Sequence, residues 1–83
     1  MLLIMTNYNK MYQSAYWKTC RDVQLKKQPF CVECRKGKRL VFATIVDHII
    51  PHKGSWQLFT DENNLQSLCK YHHGIKSQKE KEK

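Results

Sequence analysis

Two closely spaced pairs of side chains in this sequence can bind a metal ion. Two residues separate Cys31 from Cys34, and two separate Cys69 from His72. Zinc prefers four sulfur or nitrogen ligands in a tetrahedral arrangement, and a short gap lets both members of a pair reach one ion from a tight turn. The spacing therefore predicts a structural Cys3His zinc site. Buried free thiols, a disulfide or a redox-active Cys31–Cys34 pair are the alternatives, although no thioredoxin-like βαβ pattern surrounds that pair.

Further polar residues occur in a fixed order around these pairs. Asp47 and His48 follow an apolar run, Asn64 follows a loop, and His73 stands directly after the second pair. Each has an ordinary structural interpretation when it is considered alone: a surface turn, a loop or cap residue, and a solvated helix position. Their joint occurrence, interlocked with the metal-ligand spacing, argues against coincidence. His52 belongs to no motif, and we interpret it as a loop residue within reach of a phosphate.

An N-terminal helix is predicted before the first pair, over about residues 12–27. Its apolar positions recur at helical spacing, at Tyr16, Cys20 and Val23. Ser14 is available to cap its first turn, and Pro29 ends it because proline lacks a backbone donor and disfavours helix at the preceding residue. Cysteine is often buried without any chemical role. We therefore interpret Cys20 as a small core residue rather than as a further ligand.

The segment between the two pairs is predicted to contain a strand and a loop. The run of residues 40–46 is rich in β-branched and aromatic side chains and is bounded by glycine and proline, which predicts a strand leading into Asp47. Residues 49–62 are predicted to form a loop, with a weak second strand at residues 56–59. Asp61 is a candidate cap for a short helical turn just after this loop.

A final helix is predicted from about Tyr71 toward the C-terminus. The closing segment KSQKEKEK is charged and has no apolar position. Alternating charges of this kind are typical of a solvated surface, so we expect the end of the helix to fray.

The composition favours a polyanion as the partner. The chain has 15 lysine and arginine residues against 7 aspartate and glutamate residues, with a formal charge of +8. The positive charge is spread along the chain, as expected of a protein that contacts phosphates. A charge that serves only solubility is the alternative. A basic turn offers candidate nucleic-acid contacts at Arg35, Lys38 and Arg39.

Length and cysteine content indicate that a metal ion supplements a small core. A chain of 83 residues buries only about 60% of the surface that it exposes when unfolded. The segment MLLIM at residues 1–5 is too short for the core of a signal peptide, and no stretch approaches the roughly 18 apolar residues of a membrane span. We therefore expect a cytoplasmic protein without membrane contact, with reduced thiols and bound metal.

The order of the motifs resembles the zinc-bearing form of the HNH endonucleases, which are His-Me finger proteins. The family outline is C-x2-C, then D-H-I-x-P, then N-L-x-x-L-C-x2-C-H-x2-K-[ST]. The corresponding segments here are CVEC at residues 31–34, DHIIP at 47–51 and NLQSLCKYHHGIKS at 64–77. YQSAYW at residues 12–17, followed by a basic helix, is similar to the N-terminal helix of phage-encoded members. The resemblance covers about residues 12–77.

The resemblance implies a small α+β domain, held together by zinc, that contains a ββα-metal unit and an N-terminal helix. It is expected to form one domain over residues 1–83. The N-terminal helix at about 12–27 precedes a zinc and ββα-metal core at about 29–78, and a charged tail occupies residues 79–83.

One position departs from the family pattern, because His72 stands where a fourth cysteine is usual. Imidazole also binds zinc, so the site is expected to survive. The adjacent His73 could exchange roles with it, but successive side chains on a helix diverge by about 100°, so one ion cannot easily take both. Aligning the motif on Lys76 and Ser77 makes His72 the zinc ligand and His73 the catalytic residue.

Phosphodiester hydrolysis needs a base that activates water, a cation that neutralises the charge developing on the phosphate, and groups that position both. The resemblance implies that His48 is the base, a task that suits a neutral imidazole with a pKa near 6.5. It implies that Asp47 and His73 hold one divalent cation, either Mg²⁺, Mn²⁺ or another transition metal. Asn64, rather than its neighbour Asn63, is expected to orient the histidine through a hydrogen bond.

The expected substrate is double-stranded DNA. Lys76 follows His73 by three residues on nearly the same helical face and could contact the scissile backbone, with a solvated position as the alternative. Affinity that comes from backbone phosphates predicts weak sequence preference and steep salt dependence. By analogy alone, phage-encoded relatives suggest work near the DNA-packaging machinery of a bacterial host, with terminase or portal proteins as partners. We expect a monomer or a weak dimer.

The rival hypothesis is a zinc module that binds nucleic acid or a packaging partner without cutting. It accounts equally well for the zinc ligands and for the charge. It has no need of Asp47, His48 and His73, so the tertiary arrangement of these three side chains bears on the choice.

Overall fold

A computed structural model describes residues 10–81 of the chain. The N-terminal segment MLLIM and the last two residues lie outside the described residues. The elements follow one another in the order α1 (Ala15–Lys27), α2 (Val32–Lys36), β1 (Ile45–His48), α3 (Trp56–Thr60), a 3₁₀ turn (Glu62–Asn64), β2 (Leu65–Leu68) and α4 (Lys70–Lys81).

The two strands and the last helix form the ββα unit. Strands β1 and β2 pair in an antiparallel sheet, in which Asp47 lies opposite Gln66 and His48 lies opposite Leu65. A single residue, Cys69, separates β2 from helix α4, which packs against both strands. The predicted α+β class is confirmed.

Helix α1 starts where its capping residue predicts. The Oγ atom of Ser14 accepts a hydrogen bond from the backbone N–H of Trp17 at 3.1 Å, which satisfies a donor that has no partner within the helix. The predicted apolar face is wrong, however, because Tyr16 and Val23 are 48% and 54% exposed. The helix is rotated by one position and buries Trp17 instead, whose indole offers more apolar surface. Cys20 is half-buried and packs against the core.

Among residues 10–81, the core consists of two small clusters. One joins the helices to the sheet, and its buried members are Met11, Trp17, Val46, Phe59 and Leu65. The other lies around the cysteines and contains Cys31, Cys34 and Leu68. The second cluster is built on potential metal ligands, so the stability of this half of the domain depends on what those ligands bind.

The predicted strand at residues 40–46 is largely wrong. Leu40 and Phe42 are 70% and 71% exposed, and the regular strand begins only at Ile45. The exposed part pairs instead with the chain before α2: Cys31 donates its backbone N–H to the carbonyl of Val41 at 2.8 Å. Local β-propensity correctly indicated an extended backbone, but it does not determine which segment that backbone pairs with.

The weak strand predicted at residues 56–59 is a helix, α3. The Oγ atom of Ser55 caps it by accepting the backbone N–H of Leu58 at 3.3 Å, a signal that outweighs the aromatic residues. The cap at Asp61 is confirmed, because its carboxylate accepts the backbone N–H of Asn63 at 2.9 Å. The charged C-terminal segment continues helix α4 as far as Lys81, and fraying of this end stays a prediction. No helix among the described residues is long and apolar enough to cross a membrane.

Candidate active site and zinc centre

The two predicted metal-ligand pairs meet in one cluster. The ligand atoms of Cys31, Cys34, Cys69 and His72 all lie within 4.8 Å of one another. The Nδ1 atom of His72 is 3.6 Å, 3.4 Å and 3.3 Å from the sulfur atoms of the three cysteines in that order. Tetrahedral zinc with Zn–S bonds of about 2.3 Å places its ligands about 3.8 Å apart. The residues therefore fit a zinc ion.

The chemistry of the thiols also suits zinc. All of them are free rather than disulfide-bonded. Burial opposes ionisation of Cys31, but hydrogen bonds from the backbone N–H groups of Cys34 and Cys69 outweigh it and lower the pKa of Cys31 to about 6. Burial, together with hydrogen bonds to the other thiols, raises the pKa of Cys34. A thiolate that forms near neutral pH is what a zinc site requires.

Helix α4 turns its two adjacent histidines in different directions. His72 joins the cysteines, whereas the Nε2 atom of His73 lies 4.0 Å from Oδ1 of Asp47 at the end of β1. Mg²⁺ binds oxygen at about 2.1 Å, so a single ion between these two atoms reaches both. The other carboxylate oxygen of Asp47 is buried, and no donor among the described residues is aligned for a hydrogen bond to it. Its cationic neighbour is the Lys76 ammonium, at 3.0 Å.

His48 follows Asp47 and is only 4% exposed. Its imidazole is stacked near Trp17 and Phe59, with ring centroids 5.3 Å and 5.1 Å away. Its Nε2 atom lies 3.0 Å from the carbonyl oxygen of Phe59. A carbonyl only accepts, so Nε2 carries the proton in the neutral ring and Nδ1 keeps the lone pair. The fold thereby selects the tautomer in which Nδ1 can act as a base.

Asn64 does not supply that hydrogen bond, contrary to the expectation of a direct contact with the histidine. Its amide donates to the carbonyl oxygens of Ile50 and Leu58, both at 3.0 Å, and its Oδ1 accepts the backbone N–H of Ile50 at 2.8 Å. Asn64 thus ties together both ends of the loop that carries Phe59. Its contacts are with the backbone beside Phe59 rather than with His48, which no spacing in the sequence reveals.

His52 has a more specific environment than a loop residue without a motif would have. It is 7% exposed, and its Nδ1 atom accepts the backbone N–H of Gly54 at 2.9 Å. Gly54 has a φ of 88°, a left-handed conformation that favours glycine. Nε2 of His52 is then the protonated nitrogen and donates to the hydroxyl of Tyr12 at 2.9 Å. Burial, and secondarily the charge of His48, lower the pKa of His52.

Asp47, His48 and His52 line one cleft of about 250 Å³, whereas His73 is not among its lining residues. Its lining combines the carboxylate, the imidazoles and two lysines: Tyr12, Asp47, His48, Pro51, His52, Lys53, Lys76 and Glu80. Burial opposes the charge on Lys76, but the nearby carboxylates of Glu80 and Asp47 outweigh it and raise the pKa of Lys76. Sequence reasoning missed Glu80 and Lys53, since charged residues in a loop or a tail have no pattern that marks them.

The candidate phosphate contacts fall into two groups. Lys76 lies in the cleft, as its helical spacing from His73 predicts. Arg35, Lys38 and Arg39 are exposed on the turn beside the zinc ligands, and none of them lines the cleft. Arg35 lines a separate cavity of about 640 Å³.

The fold and the site define a metal-dependent nuclease with a ββα-metal unit, and comparison with known proteins agrees. The sequence pattern of the HNH endonuclease family matches residues 31–79. The HNH endonuclease of the deep-sea thermophilic bacteriophage GVE2, solved with a manganese ion, is similar in structure with a TM-score of 0.86 and 35% sequence identity. The match covers 95% of this chain and 87% of the phage protein. Comparison with curated proteins gave no match. The chain belongs to the HNH endonuclease family, whose members act on DNA.

Proposed function

We propose that this protein hydrolyses phosphodiester bonds in double-stranded DNA, with His48 as the general base and with Asp47 and His73 as ligands of one divalent cation. The observation that carries the proposal is the convergence of Asp47 and His73 to 4.0 Å beside a histidine whose Nδ1 is left unprotonated. A module that only bound DNA would need neither feature.

His48 takes a proton from the attacking water at Nδ1. Its Nε2–H bond to the Phe59 carbonyl keeps the ring in that tautomer and stabilises the imidazolium that forms. Asn64 is a positioning residue, because it fixes the loop that carries this carbonyl. Asp47 and His73 would hold a divalent cation, which would neutralise the charge that develops on the phosphate and on the leaving oxygen.

The lysines of the cleft bind the DNA backbone. Lys53 and Lys76 line it and supply positive charge next to the scissile phosphate, and the basic turn with Arg35, Lys38 and Arg39 extends the contact beyond it. Phosphate contacts do not distinguish sequences. Cleavage therefore has weak sequence preference, and binding weakens steeply with salt.

The biological setting belongs to the same proposal. The similarity to a bacteriophage enzyme supports a phage or prophage protein that acts in the cytoplasm of a bacterial host, near DNA packaging. Terminase and portal proteins are its proposed partners, and a monomer or weak dimer is the proposed state.

Cleavage of a supercoiled plasmid tests the chemistry. Purified protein is incubated with plasmid and Mg²⁺ or Mn²⁺, beside an EDTA control and a His48→Ala variant whose fold is checked by circular dichroism. We expect His48→Ala to lose about 10²- to 10⁴-fold in rate, the usual contribution of a general base. Equal cleavage by both proteins contradicts the proposal. Binding of DNA without cleavage under either metal would favour the non-catalytic zinc module.

A further inference from the structure

We propose that Lys76 is an internal counter-cation of Asp47 and leaves that carboxylate when the divalent cation binds, and that Glu80 is the positioning residue that keeps the released ammonium in the cleft. The inference rests on the proposed function, since it takes Asp47 and His73 as the metal ligands. It assigns a role to Glu80, which the sequence motifs do not include.

The geometry places three groups along one face of α4. His73, Lys76 and Glu80 follow each other at intervals of three and four residues, a spacing that brings side chains together on a helix. The Lys76 ammonium lies 3.0 Å from Oδ2 of Asp47 and also pairs with the carboxylate of Glu80. Lys76 and Asp47 are only 22% and 20% exposed, so water screens their interaction less than it would at the surface.

The ammonium and a divalent cation compete for the same carboxylate. Oδ2 of Asp47 is the buried oxygen without an aligned hydrogen bond, and Lys76 supplies the positive charge beside it. An ion held by Asp47 and His73 would lie close to that ammonium, and like charges at such a distance repel strongly. The lysine has a flexible four-carbon stem, so it can move away while α4 keeps its position.

Glu80 makes this movement favourable. Without it, Lys76 would have Asp47 as its nearest carboxylate and would hold that position more firmly. With it, the ammonium can leave Asp47 and keep the ion pair that it already makes with Glu80, within the cleft that both residues line. Lys76 then remains beside the scissile phosphate, so cation binding and phosphate contact are coupled through one side chain.

Mn²⁺ affinity of the zinc-loaded protein tests the inference without relying on activity. Isothermal titration calorimetry and Mn²⁺ electron paramagnetic resonance are applied to wild type, Lys76→Met, Glu80→Gln and the double variant. Lys79→Met is the matched control, because it removes the same charge from an exposed position of the same helix. We expect Lys76→Met to bind Mn²⁺ at least about fivefold more tightly and Glu80→Gln about fivefold more weakly, at the lower end of typical coupling between two ligands. Lys79→Met should stay within about twofold.

The double variant separates two explanations for Glu80. If Glu80 acts through Lys76, the double variant binds Mn²⁺ as tightly as Lys76→Met alone. If Glu80→Gln weakens binding equally in both backgrounds, Glu80 attracts the ion directly and its assigned role is overturned. Unchanged or weaker affinity in Lys76→Met overturns the counter-cation role. The proposed metal site has its own check in Asp47→Ala. If this variant binds Mn²⁺ as tightly as the wild type, the ion lies elsewhere and both proposals are overturned.

Discussion

The His73 imidazole faces the Asp47 carboxylate across 4.0 Å because its neighbour His72 faces the cysteines. Cys69 occupies the single position between β2 and α4, and His72 lies in the first turn of that helix. A zinc ion bound by both would fix the start and the rotation of α4. His73, about 100° further around the helix, is thereby directed at the end of β1.

Replacing Asp47 with asparagine should remove cation binding. The change keeps the size of the side chain but removes the negative charge that a divalent cation needs. We expect cleavage to fall by at least about 100-fold, since even outer-shell changes at metal sites cost 10- to 100-fold. Plasmid cleavage and Mn²⁺ titration measure the two effects, and an asparagine variant that cuts at the wild-type rate would refute the ligand assignment.

Loss of a zinc ligand should unfold the domain. Zinc binding supplies roughly 10 kcal/mol or more of folding free energy in small zinc domains, and the cysteine cluster here is one of only two core clusters among the described residues. We expect Cys69→Ser to lose its cooperative thermal transition, and EDTA to lower the melting temperature of the wild type.

The control for this prediction is Cys20→Ser, because Cys20 is half-buried outside the ligand set. It should retain both zinc and a cooperative transition. A Cys69→Ser protein that melts like Cys20→Ser, or freshly purified wild type without zinc in elemental analysis, would contradict the structural role.

Asn64 should matter for stability far more than its neighbour Asn63. Asn64→Ala removes the three hydrogen bonds to Ile50 and Leu58 and deprives partly buried backbone groups of these partners. We expect a loss of about 2–4 kcal/mol in the free energy of unfolding. Asn63 is exposed, so Asn63→Ala should change the free energy of unfolding by less than about 0.5 kcal/mol. Urea denaturation of both variants measures these changes, and equal losses of unfolding free energy in the two variants would contradict the prediction.

His52 should make stability depend on pH in the weakly acidic range. Burial and the charge of His48 lower its pKa below the ordinary value of 6.5, so below that pH the unfolded chain binds a proton that the folded protein resists. The contribution to stability is complete above pH 6.5 and declines as the pH falls toward the lowered pKa. Protonation at Nδ1 would also break the hydrogen bond from Gly54.

The comparison variant for this effect is His52→Gln, whose amide does not titrate. Urea denaturation of both proteins at pH 7.5 and pH 5.5 gives the loss of unfolding free energy on acidification for each. Subtracting one loss from the other cancels the contributions of the zinc ligands, which both proteins share. We expect the variant to lose less stability on acidification than the wild type. A variant with the same or a steeper pH dependence would show that His52 is not the group responsible.

The candidate site could be predicted closely where its chemistry is local. Ligand spacing alone indicated Cys31, Cys34, Cys69 and His72, because a two-residue gap is a property of the chain. Ser14 and Asp61 were found as caps for the same reason, since a cap acts on a backbone donor two or three residues away. The resemblance to the HNH family added Asp47, His48 and His73, which the structure brings together.

Tertiary structure alone decided what depends on residues distant in the chain. The run at residues 40–44, which is exposed except at Ala43, has the composition of a strand, and only the competition for backbone partners excludes it from the sheet. The hydrogen bond to His48 comes from the Phe59 carbonyl, which has no side-chain signature. Glu80 enters the cleft only because α4 continues through Lys81. Residue spacing determines short-range geometry, whereas burial and strand pairing depend on which surfaces meet when the whole chain folds.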